Sequence, residues 1–97
     1  MTIKLSKFGT TLISRTDGRE AYLSLQQTMQ NIKENEKIEI DFEGVNTLSP
    51  GWGDEMLTPL LNNYGNRLIL KDTTNLSVQA TIKMLEEISH KKFNVAN

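Results

Sequence analysis

"IDFEGVNTLSPGWGDEMLTPLL", residues 40–61, passes from an alternating apolar segment through a turn rich in glycine, serine and proline into a helical pattern. Just upstream, "KIEIDF" sets Ile38, Ile40 and Phe42 on one side, as a strand with one buried face would. Downstream, Trp52, Met56, Leu60 and Tyr64 recur every fourth residue with Leu57 and Leu61 alongside, which is a helical stripe. Pro59 lies inside the stripe and lacks a backbone donor, so it predicts a kink or a helix in two pieces, and Gly65 ends the helix. "RLILK", residues 67–71, is the next strand. Two strands joined by a helix are expected to run parallel through a right-handed crossover.

The flanking segments complete the pattern. Ile3, Leu5, Leu12 and Ile13 surround "SKFGT", which predicts an N-terminal hairpin of two short strands. Tyr22, Leu25, Met29 and Ile32 then line one face of a helix, with Asp17 and Glu20 spaced as a capping box to start it. In the last helix Val78, Ile82, Leu85 and Ile88 are expected to face the core, with basic residues near its C-terminal end. The order β-β-α-β-α-β-α predicts an α/β fold: one domain spanning residues 1–97, a small mixed four-stranded sheet with helices, a core over about residues 3–90, and "NVAN" as a loose tail.

With 97 residues, one core is expected and a separate catalytic domain is not. The net charge of -1 and the absence of a basic stripe with interleaved aromatics argue against nucleic acid and anionic membrane as partners. The absence of cysteine excludes disulfides, thiolate zinc sites and cysteine nucleophiles. The start, "MTIKLSKFGTTLISR", has no apolar run long enough for a signal peptide or membrane span, so a cytoplasmic protein is expected.

The segment at residues 40–61, followed by "RLILKDTTNLSVQATIKML", resembles the central part of the STAS domain of anti-sigma factor antagonists. The nearer similarity is to the STAS-like domains of unknown function, carried by Ser14-Arg15, Asp41-Phe42, Ser49-Pro50 and Asp54-Glu55 over roughly residues 8 to 88. The resemblance implies a regulatory signalling module that docks on a protein partner, such as a kinase-like ATPase. In the antagonists the loop carries an aspartate followed by a phosphorylated serine; here Ser49 falls on the aspartate and Pro50 on the serine. Proline cannot accept phosphate, so no phosphorylation is expected, Ser49 being only a displaced candidate.

The candidate docking surface is residues 47–57, with Ser49, Gly51, Trp52, Asp54, Glu55 and, before the first helix, Arg15. Ser49 before Pro50 is foremost an N-cap, although free amides at Gly51 and Trp52 could bind an anion. Trp52 stands between two glycines that are expected to cover it poorly, leaving it at the rim as an aromatic anchor. Asp54 and Glu55 are adjacent on a helix and do not readily share a ligand; they suit the helix dipole instead. Arg15 and Arg19 stand where that dipole disfavours cations, which predicts a salt bridge from Arg15 to Asp41 or Asp17, or an acidic or phosphate partner. His90 has no second histidine near it and no metal site is expected. No nucleophile, base and orienter set is apparent, so neither an enzyme nor a cofactor is expected. The competing reading is a small ligand-, phosphate- or nucleotide-binding protein, or an enzyme, using Asp41, Ser49, Asp54 and Arg15 around the end of the strand.

Overall fold

The computed structural model describes residues 1–96. Four strands, β1 (Thr2–Lys4), β3 (Ile38–Asp41), β5 (Leu68–Lys71) and β6 (Asn94–Ala96), form one sheet in the order β1-β3-β5-β6. Strands β2 (Thr11–Leu12) and β4 (Thr47–Leu48) form a separate two-stranded pair. Three helices, α1 (Arg15–Thr28), α2 (Pro50–Tyr64) and α3 (Leu76–Ser89), connect the strands of the larger sheet.

The α/β architecture and the four-stranded sheet are as expected, but every strand pair is parallel, so the sheet is not mixed. The expected hairpin does not form. A 3₁₀ turn at Leu5–Phe8 follows β1 and carries the chain out of the sheet, so that β2 pairs with β4. The expected tail is likewise corrected: residues 94–96 form an edge strand beside β5, Phe93 is buried, and only Asn97 lies outside the described residues.

The larger sheet follows chain order without reversal, so right-handed crossovers place all three helices on one face. Ile3, Ile38, Ile40, Leu68 and Leu70 are buried on that side, whereas Thr2, Lys4 and Lys71 are exposed on the other. A parallel sheet usually has both faces covered. The polar residues of the open face allow water to take the place of a second helical layer.

Helix α2 is central, burying Trp52, Met56, Leu57, Leu60 and Leu61 in the single apolar core. It is continuous through Pro59, so it is one helix and not two pieces. Helix α1 begins at Arg15, two residues before the predicted box, because the Ser14 hydroxyl accepts from Asp17 N–H at 2.9 Å. Leu25 is buried on its inner face and Tyr22 half-buried, but the helix ends at Thr28, so the buried Met29 falls in a following 3₁₀ turn and the half-buried Ile32 beyond it, not on the helix as expected. On α3, Val78, Thr81 and Leu85 are buried and Ile82 half-buried, but Ile88 is 67% exposed. The last turn of α3 extends past the core that α2 offers it.

Candidate functional site

The N-termini of the three helices are tied together around one short segment, Val45–Ser49. Ser49 caps α2 as its residue order predicts: its hydroxyl accepts from Trp52 N–H at 3.1 Å and donates to the Ile13 carbonyl at 2.7 Å. The Ser49 amide donates to Leu12 O at 2.9 Å. On the other side, α3 clasps β4. Asn75, the cap of α3, donates to Val45 O at 2.8 Å and Asn46 O at 3.1 Å, while Ser77 accepts from Leu48 N–H at 3.0 Å. The buried Thr81 hydroxyl donates to Leu48 O at 2.6 Å. The two edges of β4 are thus satisfied by β2 and by α3 side chains, which leaves little freedom for a loop switch.

Trp52 does not lie at the rim. It is 1% exposed, with its ring 6.1 Å from that of Phe8. The neighbouring helices close over it through glycines. A Cβ on Gly18 would stand 2.6 Å from the Trp52 carbonyl oxygen, so only glycine lets α1 approach α2 this closely. On the α3 side, a Cβ on Gly53 would meet Thr81 Cγ2 at 3.0 Å. Close helix approach, rather than a bare rim, accounts for the glycine next to the tryptophan.

Arg15 has a partner, but not Asp41 or Asp17. Its guanidinium passes over Gly51 to reach Asp54 Oδ2 at 2.9 Å and Glu55 Oε1 at 3.7 Å. The hydrogen bond to Asp54 is the chief cause raising the Arg15 pKa further. Asp54 also accepts from the Thr58 hydroxyl at 3.0 Å. The cation disfavoured at the start of α1 is compensated by these two carboxylates, which stand past the first turn of α2 and so answer Arg15 rather than the helix dipole expected to favour them. This network occupies Arg15 and Asp54, two of the four side chains that the competing reading offered as a ligand set.

Asp41 belongs to a different place. Its Oδ1 accepts from Glu43 N–H at 3.0 Å, the loop-holding role expected of a carboxylate at a strand end. It borders an open crevice of about 440 Å³ with Glu43, Lys71, Asp72 and Thr73, and neither Arg15, Ser49 nor Asp54 lines it. Among the described residues no three His, Asp or Glu side chains cluster to hold a metal ion, and no helix is long and apolar enough to cross a membrane. His90 takes a left-handed conformation at the end of α3.

Sequence reasoning missed two residues. Ile13 is 57% exposed beside Ser49, and Leu76 is 78% exposed between Asn75 and Ser77. An apolar residue next to a helix cap is the signal that could have identified both.

The profile of the STAS-like domain of unknown function (DUF4325) matches residues 18–78. The chain belongs to this family. The matched segment of this STAS-like domain runs from Gly18, at the α1–α2 contact, to Val78 in the first turn of α3. It therefore contains α2, β4 and the Asn75 and Ser77 clasp. Neither a curated protein nor a solved structure matches the chain.

Proposed function

We propose that this STAS-like domain is a non-enzymatic, cytoplasmic interaction module, a regulatory component that docks on a protein partner through the end where the three helices begin. A kinase-like ATPase is the partner class that the antagonist resemblance implies. The observation supporting this reading is the exposure of Ile13 and Leu76 on either side of a backbone segment held from both edges. Apolar anchors on a rigid frame bind with little ordering cost, and the Arg15, Asp54 and Glu55 network supplies a charged rim. Trp52 contributes to this surface only by supporting it from within.

The test is affinity capture from the protein's own cell extract with the wild type and with folded Ile13→Asp and Leu76→Asp variants. A partner retained by the wild type and lost from both variants is expected. Retention unchanged by both substitutions would remove this surface. A saturable rise in melting temperature with nucleotide or phosphate would instead move function to the crevice beside Asp41.

A further inference from the structure

The two edges of the larger sheet are unlike. Strand β1 carries Lys4, which discourages pairing with another chain, and gives way at once to a 3₁₀ turn. Strand β6, Asn94–Ala96, has no charge, proline or bulge to protect it. Ala96 O accepts from Asp72 N–H at 2.8 Å, and Val95 is in register with Leu70. Because backbone groups alternate along a strand, Val95 turns its own N–H and C=O away from β5, toward the free edge. Its side chain lies on the helix-covered side of the sheet, yet is 53% exposed. It borders an open crevice of about 370 Å³ between α3 and the edge strand, with Ile82 as the other apolar residue.

We infer that this edge pairs with a second copy of itself, β6 against β6 about a two-fold axis at Val95. In an antiparallel ladder a hydrogen-bonded pair is two facing residues that exchange both N–H···O bonds, which is what one outward donor and one outward acceptor on the same residue provide. The two-fold brings the two Val95 side chains together and turns two four-stranded sheets into one of eight strands. The crevice is nearly balanced in charge: it is lined by Lys71, Lys83 and Lys92 with Asp72 and Glu86, and Lys92 faces Glu86 at 3.8 Å, a set that suits a copy of itself better than a strongly acidic or basic partner. These residues are distinct from Ile13 and Leu76, and the pairing stands without them.

Mass in solution tests the inference, by light scattering or sedimentation over a range of concentrations. The wild type is expected to approach twice the chain mass of 11.0 kDa. Val95→Pro removes the outward donor while leaving the β5 ladder intact, since proline is tolerated where an edge N–H faces solvent, and it is expected to stay at 11.0 kDa with an unchanged circular dichroism spectrum. Should that variant misfold, amide exchange of the wild type decides: Val95 N–H is expected to gain protection as concentration rises. A wild type that stays monomeric at its highest soluble concentration, a dimer that survives in folded Val95→Pro, or a Val95 amide indifferent to concentration would each overturn the pairing. Edge protection gained only with an added extended peptide would assign the edge to another chain.

Discussion

Gly18 and Trp52 illustrate how one missing Cβ decides the place of the largest side chain. Adding a methyl at Gly18 puts it 2.6 Å from the Trp52 carbonyl oxygen and 3.0 Å from its Cα, both backbone atoms that cannot swing aside. Gly18→Ala should therefore force α1 away from α2 and destabilise the domain by about 1–3 kcal/mol, measured by urea unfolding. Trp52→Ala should cost more, about 3–5 kcal/mol, because it empties the site of a large side chain that is only 1% exposed. In the native protein its emission should be blue and poorly quenched by acrylamide; a red, readily quenched emission would contradict its burial. Sequence patterning placed Trp52 correctly on the stripe with Met56 and Leu60, all of them buried. It failed on the exposure of Trp52, because a glycine gives no indication of which helix will come to lie over it. The Ser49 cap was legible because serine followed by proline fixes local geometry, whereas the Arg15 partner was not, since its carboxylates lie 39 and 40 residues along the chain.

At the scale of elements, the decisive unit is β4, two residues long and held by side chains of α3. Thr81→Val keeps the shape of the buried side chain but removes the donor to Leu48 O, leaving only the longer Ser77 contact at 3.3 Å. A loss of about 1–3 kcal/mol is expected, together with faster amide exchange at Leu48 and Ser49. Unchanged exchange would show that β2 alone fixes this segment. Strands β3 and β5 and the three helices were legible from periodicity, since each buries one face. The pairing of β2 with β4 was not: two-residue strands carry too little pattern, and "SKFGT" resembles a turn whether the chain then reverses or leaves the sheet. Pro59 misled for a related reason. A missing donor predicts disruption, but the helix on both sides is held by the buried Met56, Leu57, Leu60 and Leu61, so packing keeps it whole.

At the scale of the molecule, a sheet that adds its strands in one direction has no point where the strand order reverses, which is where ligand crevices form in open α/β sheets. The helix N-termini accordingly surround β4 and its cap instead of opening a shared pocket with Asp41. The opposite end, where β3 and β5 begin, is held by a separate clamp. Arg67 donates to Glu36 O at 3.0 Å and to Lys33 O at 2.6 Å, and Glu36 accepts from Lys33 N–H at 3.3 Å and faces the Met1 ammonium at 3.2 Å. The Lys33 hydrogen bond, with the ammonium beside it, holds the Glu36 carboxyl below its usual range. A carboxylate whose folded pKa is depressed stabilises the fold fully above the unfolded value, and that contribution is lost as pH falls through the folded one. Acidification below the ordinary glutamate range should therefore loosen residues 33–37 first. Amide exchange at Lys33 should accelerate there, while Trp52 N–H, whose acceptor is the non-titrating Ser49 hydroxyl, keeps its protection. Glu36→Gln should show the accelerated Lys33 exchange already at neutral pH and lose its acid dependence. If Lys33 and Trp52 amides were released together at the same pH, the clamp would be part of the global core and the two ends of the molecule would not be independent.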